Sequence, residues 1–142
     1  MSESLEFDII KEPWNKYKLE DGTIIKTRFI LINVVKEGTD ETGKPIYNFN
    51  SDNVLGALAP KELLGTPSDK AYTIAERTSS IEKELTFETI QEDWNEYKLS
   101  DGSIMKIKLV LVNATRTSLR DKRGQPVYLL NNQPLYNVTF SR

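Results

Sequence analysis

Residues Leu5 to Lys36 align without a gap to Leu85 to Arg116, and fifteen of these 32 paired positions are identical. Unrelated segments of ordinary composition would share about two. Many of the remaining pairs are close in chemistry, among them Asp8 with Glu88, Ile25 with Met105, Arg28 with Lys108 and Lys36 with Arg116. One inserted residue later, Gly43-Lys44-Pro45-Ile46-Tyr47 matches Gly124-Gln125-Pro126-Val127-Tyr128. A period of this length means that one structural unit is written twice, and it constrains the fold more than any composition figure. The expected organisation is a first β unit over 1–58, a connector over 59–84 and a second β unit over 85–142.

The centre of each unit is Trp14-Asn15-Lys16-Tyr17-Lys18-Leu19-Glu20-Asp21-Gly22-Thr23-Ile24-Ile25-Lys26 and its counterpart from Trp94 to Lys106. Asp-Gly between alternating apolar residues signals a hairpin, because a tight turn needs the positive φ that glycine accepts freely. A long β-branched segment follows each turn, from Thr23 to about Val35 and from Ser103 to about Thr115, and favours strand over helix. Pro45 and Pro126 are placed to open return strands, with a short final strand expected at Asn53 to Leu58 and at Leu135 to Phe140. Leu5 to Ile10 and Leu85 to Ile90 read as one further strand each. In the connector, Pro60 to Gly65 reads as a helical turn, and Ser79 with Glu82 suggests a capped helix over Ile81 to Glu84. The fold class is therefore mainly β: an internal tandem duplication around a pseudo-two-fold axis, forming one closed or nearly closed β-barrel or sandwich, with a short helical connector.

A two-residue Asp-Gly loop would pair Leu19 with Ile24, Tyr17 with Lys26 and Asn15 with Arg28. On that register Trp14, Trp94 and the odd-numbered residues Ile25, Phe29 and Leu31 face the core. Asn15, Tyr17, Lys26 and Arg28, repeated as Asn95, Tyr97, Lys106 and Lys108, share an outer face. Beyond it, Ile30, Ile32 and Val34, with Val110, Val112 and Ala114, make the far half of each long strand apolar on both sides, as in a strand buried on both faces.

Composition narrows the chemistry. The chain has no cysteine and no histidine, which removes thiolate nucleophiles, sulfur-rich zinc sites, disulfides and the commonest general base. No metal, cofactor or catalytic set is expected. Apolar runs reach only four residues, as at Phe29 to Ile32, so no membrane-spanning helix is expected. Residues 1–4 lack a basic start or apolar stretch, and a cytoplasmic location is the expectation. The formal charge is −2, yet from Lys106 onward seven basic residues face only Asp121.

Three functional readings follow. The first is a non-catalytic interaction module for protein, a homo-oligomer or a separate partner, using the exposed edges that duplicated sheets commonly leave. The second is a nucleic-acid-binding small β-barrel. It would use the Asn15, Tyr17, Lys26, Arg28, Asn95, Tyr97, Lys106 and Lys108 face and the basic loop of Arg116, Arg120, Lys122 and Arg123. The ordinary alternative for both groups is a solvated charged surface, with tyrosine covering lysine and arginine stems. An enzyme built on carboxylates, lysine or tyrosine is the third reading.

Overall fold

A computed structural model describes residues 2–140. The chain runs through β1 (Ser2–Leu5), β2 (Phe7–Lys11), β3 (Asn15–Leu19), β4 (Ile24–Thr39) and β5 (Pro45–Leu58). A 3-10 turn (Lys61–Leu63) and one helix, α1 (Ile74–Ser79), make the connector. Then come β6 (Ile81–Leu85), β7 (Phe87–Gln91), β8 (Asn95–Leu99), β9 (Ser103–Arg120) and β10 (Pro126–Phe140). Each return strand and its expected short final strand are one continuous element, β5 or β10. The helix begins earlier than the Ser79 signal suggested. Thr73 and Glu76 form a reciprocal capping box, and Ile81–Leu85 is a strand paired with β9.

All strand pairs are antiparallel and fall into two five-stranded sheets. In the first, β4 pairs along one side with β5 and along the other with β3 and β1, and β7 adds beyond β3. In the second, β9 pairs with β10 on one side and with β8 and β6 on the other, and β2 adds beyond β8. Neither sheet closes on itself among the described residues, so the closed barrel gives way to two open sheets.

The break at Glu6, and again at Thr86, carries each N-terminal segment from one sheet to the other. β1 lies in the first sheet and β2 in the second; β6 lies in the second and β7 in the first. The main chain seals both crossings: the Ser100 amide donates to the Glu6 carbonyl at 2.8 Å, and the Glu20 amide donates to the Thr86 carbonyl at 2.9 Å. Both hydrophobic clusters are consequently mixed. Phe29, Leu31 and Val34 of β4 pack with Met105, Ile107 and Leu109 of β9. Tyr17, Leu19 and Ile25 pack with Leu85, Leu111 and Ala114.

The hairpin register corrects the two-residue turn. Lys18 pairs with Ile24, Tyr17 with Ile25, Lys16 with Lys26 and Asn15 with Thr27. The loop holds three residues, Glu20-Asp21-Gly22. The Gly22 amide donates to the Leu19 carbonyl (2.9 Å), the Leu19 amide donates to the Thr23 carbonyl (2.8 Å), and Gly22 sits at φ 90°. A four-residue turn closed by a positive-φ glycine is the usual three-residue hairpin, and Gly102 at φ 92° repeats it. One extra loop residue moves every β3 side chain to the other face. Asn15, Tyr17 and Leu19 therefore point inward with Ile25, Thr27 and Phe29, while Lys16 and Lys18 point outward.

The far halves of the long strands are not buried on both sides. A register shift between Leu31 and Asn33, matched between Asn131 and Asn132 opposite β9, inserts one residue and reverses the inward phase. Val34 and Ala114 turn into the core, whereas Ile32 and Val112 remain exposed at 49% and 44%.

Candidate functional site

The residues singled out for an outer ligand face separate into two groups. Asn15, Tyr17, Asn95 and Tyr97 are buried at the contact between the two sheets. The Asn15 amide donates to the Leu109 carbonyl (3.1 Å), and Asn95 donates to the Phe29 carbonyl at the position 80 residues away (2.8 Å). The Tyr17 hydroxyl donates to Glu92 (2.6 Å), and Tyr97 donates to Glu12 (2.8 Å). Burial, reinforced by the adjacent carboxylate, pushes both tyrosine hydroxyls well above their ordinary range. The rings are held edge-on, Tyr97 against Phe7 and Tyr17 against Phe87. These side chains fasten the sheets together.

The turn aspartates form a second pair of fasteners. Asp21 Oδ2 accepts from the Tyr128 hydroxyl (2.8 Å) and from Arg116 (3.2 Å), while Oδ1 accepts from the Thr23 amide (2.9 Å). Asp101 accepts from Tyr47 (2.7 Å) and from the Ser103 amide (2.9 Å), with Lys36 at 3.4 Å. Burial alone pushes both carboxyls up. The hydrogen bonds from Thr23, Tyr128 and Arg116, and from Tyr47, Ser103 and Lys36, outweigh it and hold them below the usual carboxylate range. The Tyr128 hydroxyl is pushed up to about 12, by burial first and by Asp21 second. Asp-Gly was legible as a turn; its carboxylate as an anchor for the other unit's tyrosine was not.

Lys26, Arg28, Lys106 and Lys108 do point outward, and the tryptophans join them there instead of anchoring the core. Trp14 lies under Lys26 (4.9 Å from the ring centroid) and Arg28 (5.6 Å), and Trp94 lies under Lys108 (5.6 Å). Both rings are half-buried.

The neighbours of these cations differ between the sheets. In the second, Glu96 on β8 takes Lys106 (3.2 Å) and Lys11 (3.8 Å), Lys11 also reaches Asp93 (3.2 Å), and Lys108 reaches Glu92 (3.5 Å). In the first, Lys16 stands where Glu96 stands, directly across from Lys26, with Gln91 on its other side. Among the described residues no carboxylate lies within ion-pair distance of Lys16 or Lys26. Arg28 is held by the Glu12 carbonyl (2.9 Å) and carboxylate (3.7 Å).

The basic loop is also divided. Arg116 is spent on Asp21 and Glu82. Arg120 packs against Gly65 and donates to the Ser118 and Leu119 carbonyls. Lys122 and Arg123 remain exposed at the tip, which Asp121 shapes by accepting the Arg123 and Gln125 amides. This tip stands at the free edge of β5: Lys122 and Arg123 share a groove of about 410 Å³ with Leu55, Gly56 and Ala57.

Another groove, about 570 Å³, runs between Leu5–Asp8, Ile32 and Asn33, and Lys98, Leu99, Ser100 and Gly102. It carries Glu6 and Asp8, with Asp8 across from Lys98 on β8. Among the described residues no three acidic side chains are clustered to hold a metal ion, and no helix is long and apolar enough to cross a membrane.

Sequence reasoning passed over the free sides of β5 and β10 as continuous features. Among the described residues, each of these strands, 14 and 15 residues long, pairs with one neighbour. Asp52 is the sole charged residue in β5, and β10 has none. Val54, Leu55 and Leu58 on β5, with Leu135 and Tyr136 on β10, are exposed at 39% to 70%. Comparison with protein-family models, with curated proteins and with solved structures gives no match.

Proposed function

We propose that the protein is a non-catalytic interaction module, made of two copies of one unit around a pseudo-two-fold axis, that binds protein by strand addition. The observation that carries this reading is the character of β5 and β10. Free sheet edges are normally shortened, bulged, covered or charged to prevent pairing with other chains. These two are long and almost without charge in a chain whose residues are 28% charged. They also present exposed Leu55 and Tyr136. An extended segment laid along such an edge gains main-chain hydrogen bonds and seats alternate side chains on the apolar positions. The segment comes from a second copy of this chain or from a separate protein, and the absence of histidine and cysteine agrees with a role in binding.

Light scattering across a concentration series, with affinity capture from the native host extract, tests the reading. A dimer or a captured protein is expected, lost when Leu55 and Tyr136 are both replaced by lysine. A strict monomer that retains no protein contradicts it.

A further inference from the structure

We propose that the outer face of the first sheet, from Trp14 across Lys16 and Lys26 to the tip at Lys122 and Arg123, binds single-stranded nucleic acid. This site touches the β5 edge only at Leu55–Ala57, beside the tip, and does not depend on strand addition.

The placement is fixed by register. Lys16 on β3 faces Lys26 on β4, and Lys26 faces Gly56 on β5. Neighbouring strands lie about 4.8 Å apart, so these three positions form one straight rung across the sheet. Gly56 puts no side chain on that rung, and a Cβ built there meets nothing within 4 Å. The next residues encountered are those of the 121–125 tip, which lines a groove with Leu55, Gly56 and Ala57. The Lys16–Lys26 pair thus stands one strand from an edge groove that Lys122 and Arg123 share with Gly56, with Arg28 beside the pair on β4.

Carboxylates near these cations are few and occupied, or displaced from them. Glu12 is taken by Arg28 and Tyr97. Asp121 is taken by main-chain amides. Glu88 faces Lys18, one step toward the turn, and Asp52 faces Ile30, two rungs away from Gly56. Trp14 adds the aromatic component. It holds Lys26 by its ring, an attraction that positions the ammonium without neutralising it.

Cations that track a phosphate backbone beside an aromatic surface are the ingredients of single-strand binding. A duplex, with its bases already stacked inside, gains nothing from the indole. The second sheet supplies an internal contrast, because Glu96 at the Lys16 position neutralises the same rung.

The test is fluorescence anisotropy of the full chain with a labelled oligothymidylate of about twelve nucleotides, within the usual range of single-strand site sizes. Four phosphate contacts predict a log–log salt slope of about −3. Lys16→Glu, which installs the residue found at the equivalent folded position in the other sheet, should weaken binding roughly tenfold and flatten that slope by about 0.7 or more. Glu96→Lys should strengthen binding by freeing Lys106, while Lys11 keeps Asp93. No binding at low salt, equal binding by Lys16→Glu and the parent, or equal affinity for a duplex of the same length would overturn the proposal.

Discussion

The outer faces of the two sheets share a backbone plan and differ in charge, while the polar fasteners between the sheets are repeated. Asn15 and Asn95, Tyr17 and Tyr97, and Asp21 and Asp101 each reach across to the opposite unit in matching ways. Outside, Glu96 has become Lys16 and Lys11 has become Gln91 in the corresponding places, so one face is a closed ion-pair network and the other an open cationic one. Buried polar groups leave little freedom to vary, because an unpaired one costs about 1–3 kcal/mol. Solvent-facing pairs contribute less than about 1 kcal/mol and can drift toward a new use. The difference in charge between the two sheets thus falls on surfaces able to meet a partner.

The largest effect expected from breaking this comparison is on its shared part. Asn15→Ala orphans the Asp93 amide and leaves the Leu109 carbonyl with only the long contact from the Tyr17 hydroxyl (3.5 Å), whereas Asn95→Ala removes the donor to the Phe29 carbonyl and to the Tyr97 hydroxyl but orphans no amide, because Pro13 stands where Asp93 stands and has no amide hydrogen. Urea denaturation should show losses of about 3 and about 2 kcal/mol, in that order, and equal small losses would refute the fastening role. Titration by pH addresses both aspartate anchors together. Their folded-state acidity is enhanced, so the stability they add is complete above the unfolded value of about 3.9 and disappears as pH falls through the lower folded one. Tyr128 acts at the other end. Its stabilisation is complete below about 10 and is lost as pH rises through about 12. Asp21→Asn with Asp101→Asn should remove most of the acid limb; an unchanged acid transition would argue against the anchors.

A smaller difference separates the two turns. Alanine at Gly102 should cost about 1 kcal/mol for the positive φ alone. Alanine at Gly22 should cost more, since its Cβ would come within 3.1 Å of Pro60 Cγ. Smallest of all is the exchange on the faces themselves. Glu96→Lys should lower stability by under about 1 kcal/mol in the same denaturation assay, as expected for partly exposed ion pairs. A larger loss would mean that the second face is structural and the contrast with the first is not about binding.

Much of the fold is legible in the residues. The repeated Asp-Gly places both hairpins, and the prolines place both return strands. What escaped was the length of the turn, since a two-residue and a three-residue hairpin accept the same Asp-Gly. The missing signal was present in β3, where Lys16 and Lys18 alternate with Asn15, Tyr17 and Leu19; charge at the even positions already puts the tyrosine inside. The bulge after Leu31 imitates a strand apolar on both faces, and no residue there distinguishes the two. The crossing of β2 and β7 leaves no local mark either, because a segment that pairs with its own unit or with the other needs the same alternation. Of the candidate site, the outward cations were legible and the tryptophans beneath them were not, for their face was tied to the mistaken register.

The contrast between the faces is read most directly from the two indole N–H signals of the full chain in a nitrogen–proton NMR correlation spectrum, recorded during titration with single-stranded oligothymidylate. The Trp14 signal should shift with the amides of Lys16, Lys26 and the 121–125 tip, while the Trp94 signal stays in place. Equal movement of both indoles, movement of Trp94 alone, or no movement of either would contradict it.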